Sequence, residues 1–184
     1  MSAGDQKRRH TPSPEFGQVT GAGVFRIERE LPGPIERVWS YLTDAEKRRK
    51  WFGDGLMQLR TGGRVELQFR FSELTSEQTP ANEGDSCAVV GRVTRCDPPH
   101  GLSFTWGEGP DASEVSFELT PRGEKVLLVI THRRLPDRET MVPVAAGWHT
   151  HLNLLSDCFA GGLLRPFWST KSFLEFEYRS RFSA

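Results

Sequence analysis

Long apolar runs are missing from this chain of 184 residues. No stretch approaches the roughly 18 consecutive apolar residues of a membrane span. An excess of one charge is missing too. The 24 Lys and Arg are balanced by 24 Asp and Glu, so no overall field draws the chain to nucleic acid or to an anionic bilayer. Cysteine is scarce: Cys87, Cys96 and Cys158 form an odd set at no metal-like spacing. That fits a reducing, cytoplasmic setting better than a disulfide framework. The first residues contain no apolar h-region, so no secretory signal is expected. Chemical motifs are equally sparse. There is no Gly-x-Ser-x-Gly elbow for a serine nucleophile. Thr61-Gly62-Gly63 has neither the length nor the Lys of a phosphate loop. No aromatics interleave with Lys47-Arg48-Arg49-Lys50, which reads as a solvated face rather than a nucleic-acid site. His149-x-His151 is the nearest approach to a metal pair, and helical residues two apart point about 200° away from each other. No cofactor and no metal are expected.

What is present suits one domain with a sizeable core. Residues 1–20 are rich in Ser, Gly, Pro and charge and read as a disordered tail; Lys7-Arg8-Arg9-His10 is a solvated patch within it. The domain is expected over 21–184. Val24 to Leu31 alternates as a first strand, stopped by Pro32-Gly33-Pro34. Ile35, Val38, Trp39 and Leu42 share one helical face over 34–43. Asp44 caps a further turn toward Lys50, and Trp51-Phe52-Gly53 closes this region. Arg64 to Phe71 alternates, with Val65, Leu67, Phe69 and Phe71 on one face. Four more strands are expected at about 86–96, 101–106, 113–120 and 125–133, with turn chemistry at Asp97-Pro98-Pro99-His100-Gly101 and Pro121-Arg122-Gly123.

A long helix follows. Pro143 fits only its first turn, which predicts a start near Thr140, and Gly161-Gly162 ends it. Trp148, Leu152, Leu155 and Phe159 form one apolar stripe, extended back by Met141 and Val144, with His149, Asn153 and Asp157 opposite. A last helix opens at Pro166, in which Phe173, Phe176 and Leu174 pack. The predicted class is α+β: a curved antiparallel sheet of about six strands gripping one long C-terminal helix. Such a grip can leave a hollow between sheet and helix.

This order of elements, with particular residues in it, resembles the START-like or SRPBCC superfamily, the helix-grip fold. Within it the sequence is similar to the family named for the C-terminal domain of the activator of the heat-shock protein 90 ATPase. The likeness rests on Pro34-Ile35-Glu36-Arg37-Val38-Trp39, Trp51-Phe52-Gly53, Gly62-Gly63, and Gly91-Arg92-Val93 followed by Pro98-Pro99, Leu102, Phe104 and Trp106. Thr131-His132 and Gly147-Trp148 with Leu152 and Leu155 complete it. It covers about residues 22–182. The resemblance implies the helix-grip fold and three kinds of role: carrying a hydrophobic ligand, cochaperone action in a stress response, or polyketide cyclase-like catalysis. The cochaperone is implied to carry a separate N-terminal domain, in whose place this sequence has about twenty residues.

The leading functional expectation is binding of a hydrophobic or lipid-like small molecule, in a pocket lined by Phe69, Trp106, Phe117, His132, Trp148, His151, Leu152 and Leu155. The aromatics among these are core in any reading, and in this fold part of the core is the cavity wall. His132 ends its strand on an apolar face and is the first candidate for a polar cavity residue. His151 and Cys158 lie on one edge of the long helix, yet two turns separate them by about 10 Å, too far for a nucleophile pair. Arg92 reads as solvent-facing. No catalytic residue is assigned. A chaperone is the alternative partner, and the aromatic last helix (Phe167, Trp168, Phe173, Phe176, Tyr178, Phe182) is compatible with a homodimer.

Overall fold

Antiparallel hairpins build most of the protein, whose computed structural model describes residues 15–183. Strand β1 (Gln18–Gly21) turns into β2 (Val24–Pro32), followed by helices α1 (Ile35–Thr43) and α2 (Ala45–Arg48). Then come β3 (Arg64–Arg70), β4 (Ser86–Asp97), β5 (Gly101–Trp106), β6 (Ser113–Arg122) and β7 (Lys125–Arg133). Helix α3 (Arg138–Ala160) and helix α4 (Phe167–Arg181) complete the chain. The strands form one antiparallel sheet in the order β1-β2-β7-β6-β5-β4-β3. It is the expected curved α+β helix grip, with seven strands among the described residues.

The extra strand is β1, which falls where the sequence suggests a tail ending at residue 20. Its residues are all exposed, so no apolar alternation announces it. Backbone pairing holds it, with Val19 opposite Phe25 and Gln18 opposite Arg26. Just before it, the Gly17 N–H donates to the Tyr178 hydroxyl at 2.9 Å. Residues 1–14, including Lys7-Arg8-Arg9-His10, lie outside the described residues.

One face of the sheet is the core. Phe25, Ile27 and Leu31 of β2 alternate inward against Val126, Leu128 and Ile130 of β7. Across β6 and β5 the same face carries Val115, Phe117, Leu102 and Phe104. Burial of large apolar side chains on this scale is the main driving force for the fold. Helix α3 begins at Arg138, two residues before the expected start, because the Asp137 carboxylate caps it by accepting from the Thr140 N–H at 2.7 Å. Pro143 therefore sits beyond the first turn and removes one backbone hydrogen bond. Gly161, at φ 68°, ends the helix in the left-handed conformation, as its lack of a Cβ permits.

The expectation of a single greasy face on α3 is corrected. His149, Thr150 and Asn153, on or beside its polar side, are buried too: Tyr178 of α4 folds back over His149, and Arg29 of β2 reaches the Asn153 side-chain carbonyl at 3.1 Å. The residues that α4 uses are also not the expected set. Phe167, Trp168, Leu174 and Tyr178 pack inward, while Phe173 is 60% and Phe176 71% exposed. Local periodicity reports one buried stripe per helix, so it cannot register a second cover arriving from later in the chain.

Candidate functional site

The site starts from a buried arginine. Arg48 belongs to the basic run expected to be solvated, yet it is 1% exposed. Its guanidinium donates to the carbonyls of Gly53 and Thr43 at 3.0 Å each, and to that of Gly55. A planar five-donor group suits convergent carbonyls, and here it fixes the turn that follows α2. The Trp51 indole N–H, donating to the Tyr41 carbonyl at 2.9 Å, fixes the same turn. That turn carries Phe52 into the space between sheet and long helix.

Phe52 lies flat against Trp148 of α3, with ring centroids 5.1 Å apart and planes at 23°. It meets Phe69 of β3 edge-on at 4.9 Å and His151 edge-on at 5.0 Å. Trp106 of β5 closes the next side, 5.7 Å from Trp148 and 5.8 Å from His132. Phe71 and Phe167, 5.2 Å apart, form the wall toward α4. These rings line a half-open cavity of about 330 Å³, completed by Pro143, Val144 and Gly147 of α3, with Cys87, Glu83 and Lys171 also on its lining. The volume is within the range of small-molecule sites. A larger depression of about 860 Å³ runs between β1 and the start of α3; its lining mixes charged and backbone groups on the open surface, whereas the aromatic cavity is largely apolar.

At the cavity rim the Lys171 ammonium donates to Glu83 and to Glu175, each at 2.7 Å. Desolvation opposes its charge, but those two carboxylates outweigh it and hold the pKa above the usual lysine value. The loop between β3 and β4 is tied down nearby. The Glu77 carboxylate accepts from the Trp168 N–H at 2.7 Å and from the Ser169 N–H, which caps α4 from a distant part of the chain.

The histidines have separate fates. His132 meets the cavity, but both of its nitrogens are engaged. The Trp148 indole N–H donates to Nδ1 at 3.1 Å, and Nε2 contacts the Ser113 hydroxyl at 2.8 Å. His151 turns Nδ1 to the Trp51 carbonyl at 2.7 Å. His149 points to the other side of α3, with Nδ1 3.0 Å from the Tyr178 hydroxyl. Burial lowers the pKa of all three to about 4, so each is neutral at physiological pH.

Of the eight residues expected to line a pocket, Phe69, Trp106, His132, Trp148 and His151 reach the cavity. Phe117, Leu152 and Leu155 do not. Phe117 lies beneath Trp148, 5.8 Å away and edge-on, and the two leucines are fully buried in the core. Phe52, Phe71 and Phe167 also line the wall, outside the expected set. Trp51-Phe52-Gly53 was a signal in plain view, but a turn residue has no periodicity to show its direction. His151 and Cys158 do not pair: the thiol contacts the Lys50 carbonyl at 3.8 Å. Arg92 is exposed, as expected. His149 and His151 diverge, and among the described residues no cluster of three or more His, Cys, Asp or Glu is arranged to hold a metal. No described helix is long and apolar enough to cross a membrane.

Comparison with known proteins agrees with the fold. Residues 32–160 match the sequence profile described as Activator of Hsp90 ATPase homolog 1-like protein. A Bordetella parapertussis protein, encoded by gene BPP1335 and solved by NMR in solution, is 42% identical; the match covers 93% of this chain and 95% of that one, with a TM-score of 0.76. CalU16 from Micromonospora echinospora shares the fold at 23% identity, covering 92% and 96% of the two chains, with a TM-score of 0.63. A Plasmodium falciparum protein described as an HSP90 activator does so at 22% identity over 73% and 91%, with a TM-score of 0.53. No curated protein gives a match.

Proposed function

The chain belongs to the family of Activator of Hsp90 ATPase homolog 1-like proteins, and we propose that this member works by binding a small, apolar, aromatic-faced molecule in the cavity between sheet and long helix, in the cytoplasm. The observation that carries this reading is Gly147. It sits in the middle of a 23-residue helix, where glycine costs roughly 1 kcal/mol relative to alanine. A Cβ built there would meet no atom within 4 Å, so close packing does not demand glycine. Pro143, Val144, Trp148 and His151 line the cavity on the same helix, and a side chain at 147 would project among them. The missing side chain keeps the hollow open.

Ring faces and edges from Phe52, Phe69, Phe71, Trp106, Trp148 and Phe167 suit a flat apolar ligand, since aromatic pairs gain from stacked and edge-on contact. The test is native mass spectrometry of the freshly purified full chain, followed by solvent extraction. A stoichiometric small molecule of this class is the expected result. A chain that carries nothing and takes up no aromatic probe would contradict the reading.

A second reading, a surface for a chaperone or for another copy of the chain, is favoured by one observation. Phe173 and Phe176 stand exposed, three residues apart and so neighbours on α4. Sedimentation velocity, alone and with an Hsp90-class chaperone, tests it. A complex or dimer lost in Phe176→Lys supports it, and an unchanged monomer in both mixtures removes it.

A further inference from the structure

We infer that the molecule held in this cavity carries one hydrogen-bond donor, a hydroxyl or N–H on an apolar ring system, and that the donor docks on Nε2 of His151. The inference rests on the cavity being a binding site and goes on to name the chemistry of what it binds.

The argument begins with the proton on His151. A backbone carbonyl only accepts, so the Trp51 carbonyl at 2.7 Å requires an N–H on Nδ1. Burial holds the ring neutral at physiological pH. A neutral imidazole has one N–H, so Nε2 bears a lone pair and is an acceptor. Among the described residues it has no partner. It is also not sealed in: buried polar atoms without partners include Nε2 of His149 but not Nε2 of His151. The rest of the ring lies among the cavity walls, 5.0 Å from Phe52, 5.2 Å from Phe167 and 6.0 Å from Phe69. An acceptor with no partner in an apolar hollow gains most from a ligand that brings a donor.

Two other polar groups on the wall, His132 and Lys171, are already occupied. His132 uses both nitrogens on Trp148 and Ser113. Lys171 is shared between Glu83 and Glu175, so the rim carries one more negative charge than positive. A carboxylate or phosphate head would meet that excess and find no free cation. A neutral donor meets a waiting acceptor.

Three probes of nearly one shape separate the outcomes. Naphthalene offers only its rings, 2-methoxynaphthalene adds an oxygen without a donor, and 2-naphthol adds a hydroxyl. Each is titrated into the full chain at neutral pH while tryptophan fluorescence is followed. The expected result is binding of all three, with 2-naphthol tighter than 2-methoxynaphthalene by about tenfold, and loss of that preference in His151→Leu. Equal affinities for the three would overturn the donor inference and leave the cavity reading standing. A preference that persists in His151→Leu would overturn it as well. Failure of all three to bind would overturn the cavity reading itself. If His151→Leu does not fold, ¹⁵N NMR of the unaltered chain decides. The lone-pair nitrogen of His151 shifts with 2-naphthol and not with 2-methoxynaphthalene if the inference holds, and with neither if it fails.

Discussion

Trp148 donates its indole N–H to Nδ1 of His132 at 3.1 Å, and this one bond decides where the histidine keeps its proton. Tryptophan can only donate, so Nδ1 is unprotonated and the N–H sits on Nε2, facing the Ser113 hydroxyl at 2.8 Å. The residue with the best sequence credentials as a polar cavity group is therefore committed to holding β7, β6 and α3 together. Trp148→Phe leaves Nδ1 buried without a donor. The expected cost is about 1–3 kcal/mol, read as a fall in the urea midpoint. An unchanged midpoint would show that the bond adds nothing.

Acid should weaken the fold through its buried histidines. His132, His149 and His151 have folded-state pKa values of about 4, against about 6.5 in an unfolded chain. The unfolded state thus binds more protons between these values. The histidine contribution is fully present above pH 6.5 and is lost as the pH falls toward 4, at up to about 1.4 kcal/mol per pH unit for each group. Neighbouring cations act in the same direction: Arg29, Arg165 and Arg181 for His149, and Lys171 for His151. Urea unfolding at pH 7.5, 6 and 5 should show steadily falling stability. A flat profile would contradict the burial of these rings.

Tyr178 anchors the N-terminal strand. Its hydroxyl accepts from the Gly17 N–H at 2.9 Å and meets His149 Nδ1 at 3.0 Å. Burial raises its pKa to about 12. Tyr178→Phe strands both partners and should cost about 1–3 kcal/mol. Amide hydrogen exchange is the sharper test: Gln18 to Gly21 should lose protection ahead of β6 and β7. Uniform loss across the sheet would mean that β1 is not a separately anchored unit.

The alternation of β2, β3 and β6 and the glycine stop of α3 were legible in the sequence because they depend on neighbours two to four residues away. So was the helix-grip order, and with it most of one cavity wall. Three things were not. β1 has no apolar pattern and exists through pairing with β2. Arg48 looks like any surface arginine until the carbonyls of residues 43, 53 and 55 converge on it. The back of α3 reads as solvent-facing until α4 returns to cover it. The choice between His132 and His151 as the open polar group depended on hydrogen bonds reaching 19 and 100 residues away in sequence. No local pattern encodes such distances.

The loop between β3 and β4 is held at the cavity rim by Glu77. Its carboxylate pKa is lowered, with hydrogen bonds from Ser169, Trp168 and Thr75 outweighing a desolvation penalty. Glu77→Ala should destabilise by about 1 kcal/mol, the usual worth of a helix cap, and should speed amide exchange at Trp168 and Ser169. Unchanged exchange there would show that α4 needs no cap from this loop.

Gly147→Leu, titrated with naphthalene beside the unaltered chain, is the most direct test of the central claim. Leucine is a better helix former than glycine, and its Cβ meets no atom within 4 Å, so the variant should fold with equal or greater stability. Its side chain would occupy the hollow between Phe52, Trp106 and Trp148. Tryptophan fluorescence should report saturable binding to the unaltered chain and none to the variant. Equal binding to both would contradict the assignment of the cavity as the ligand site.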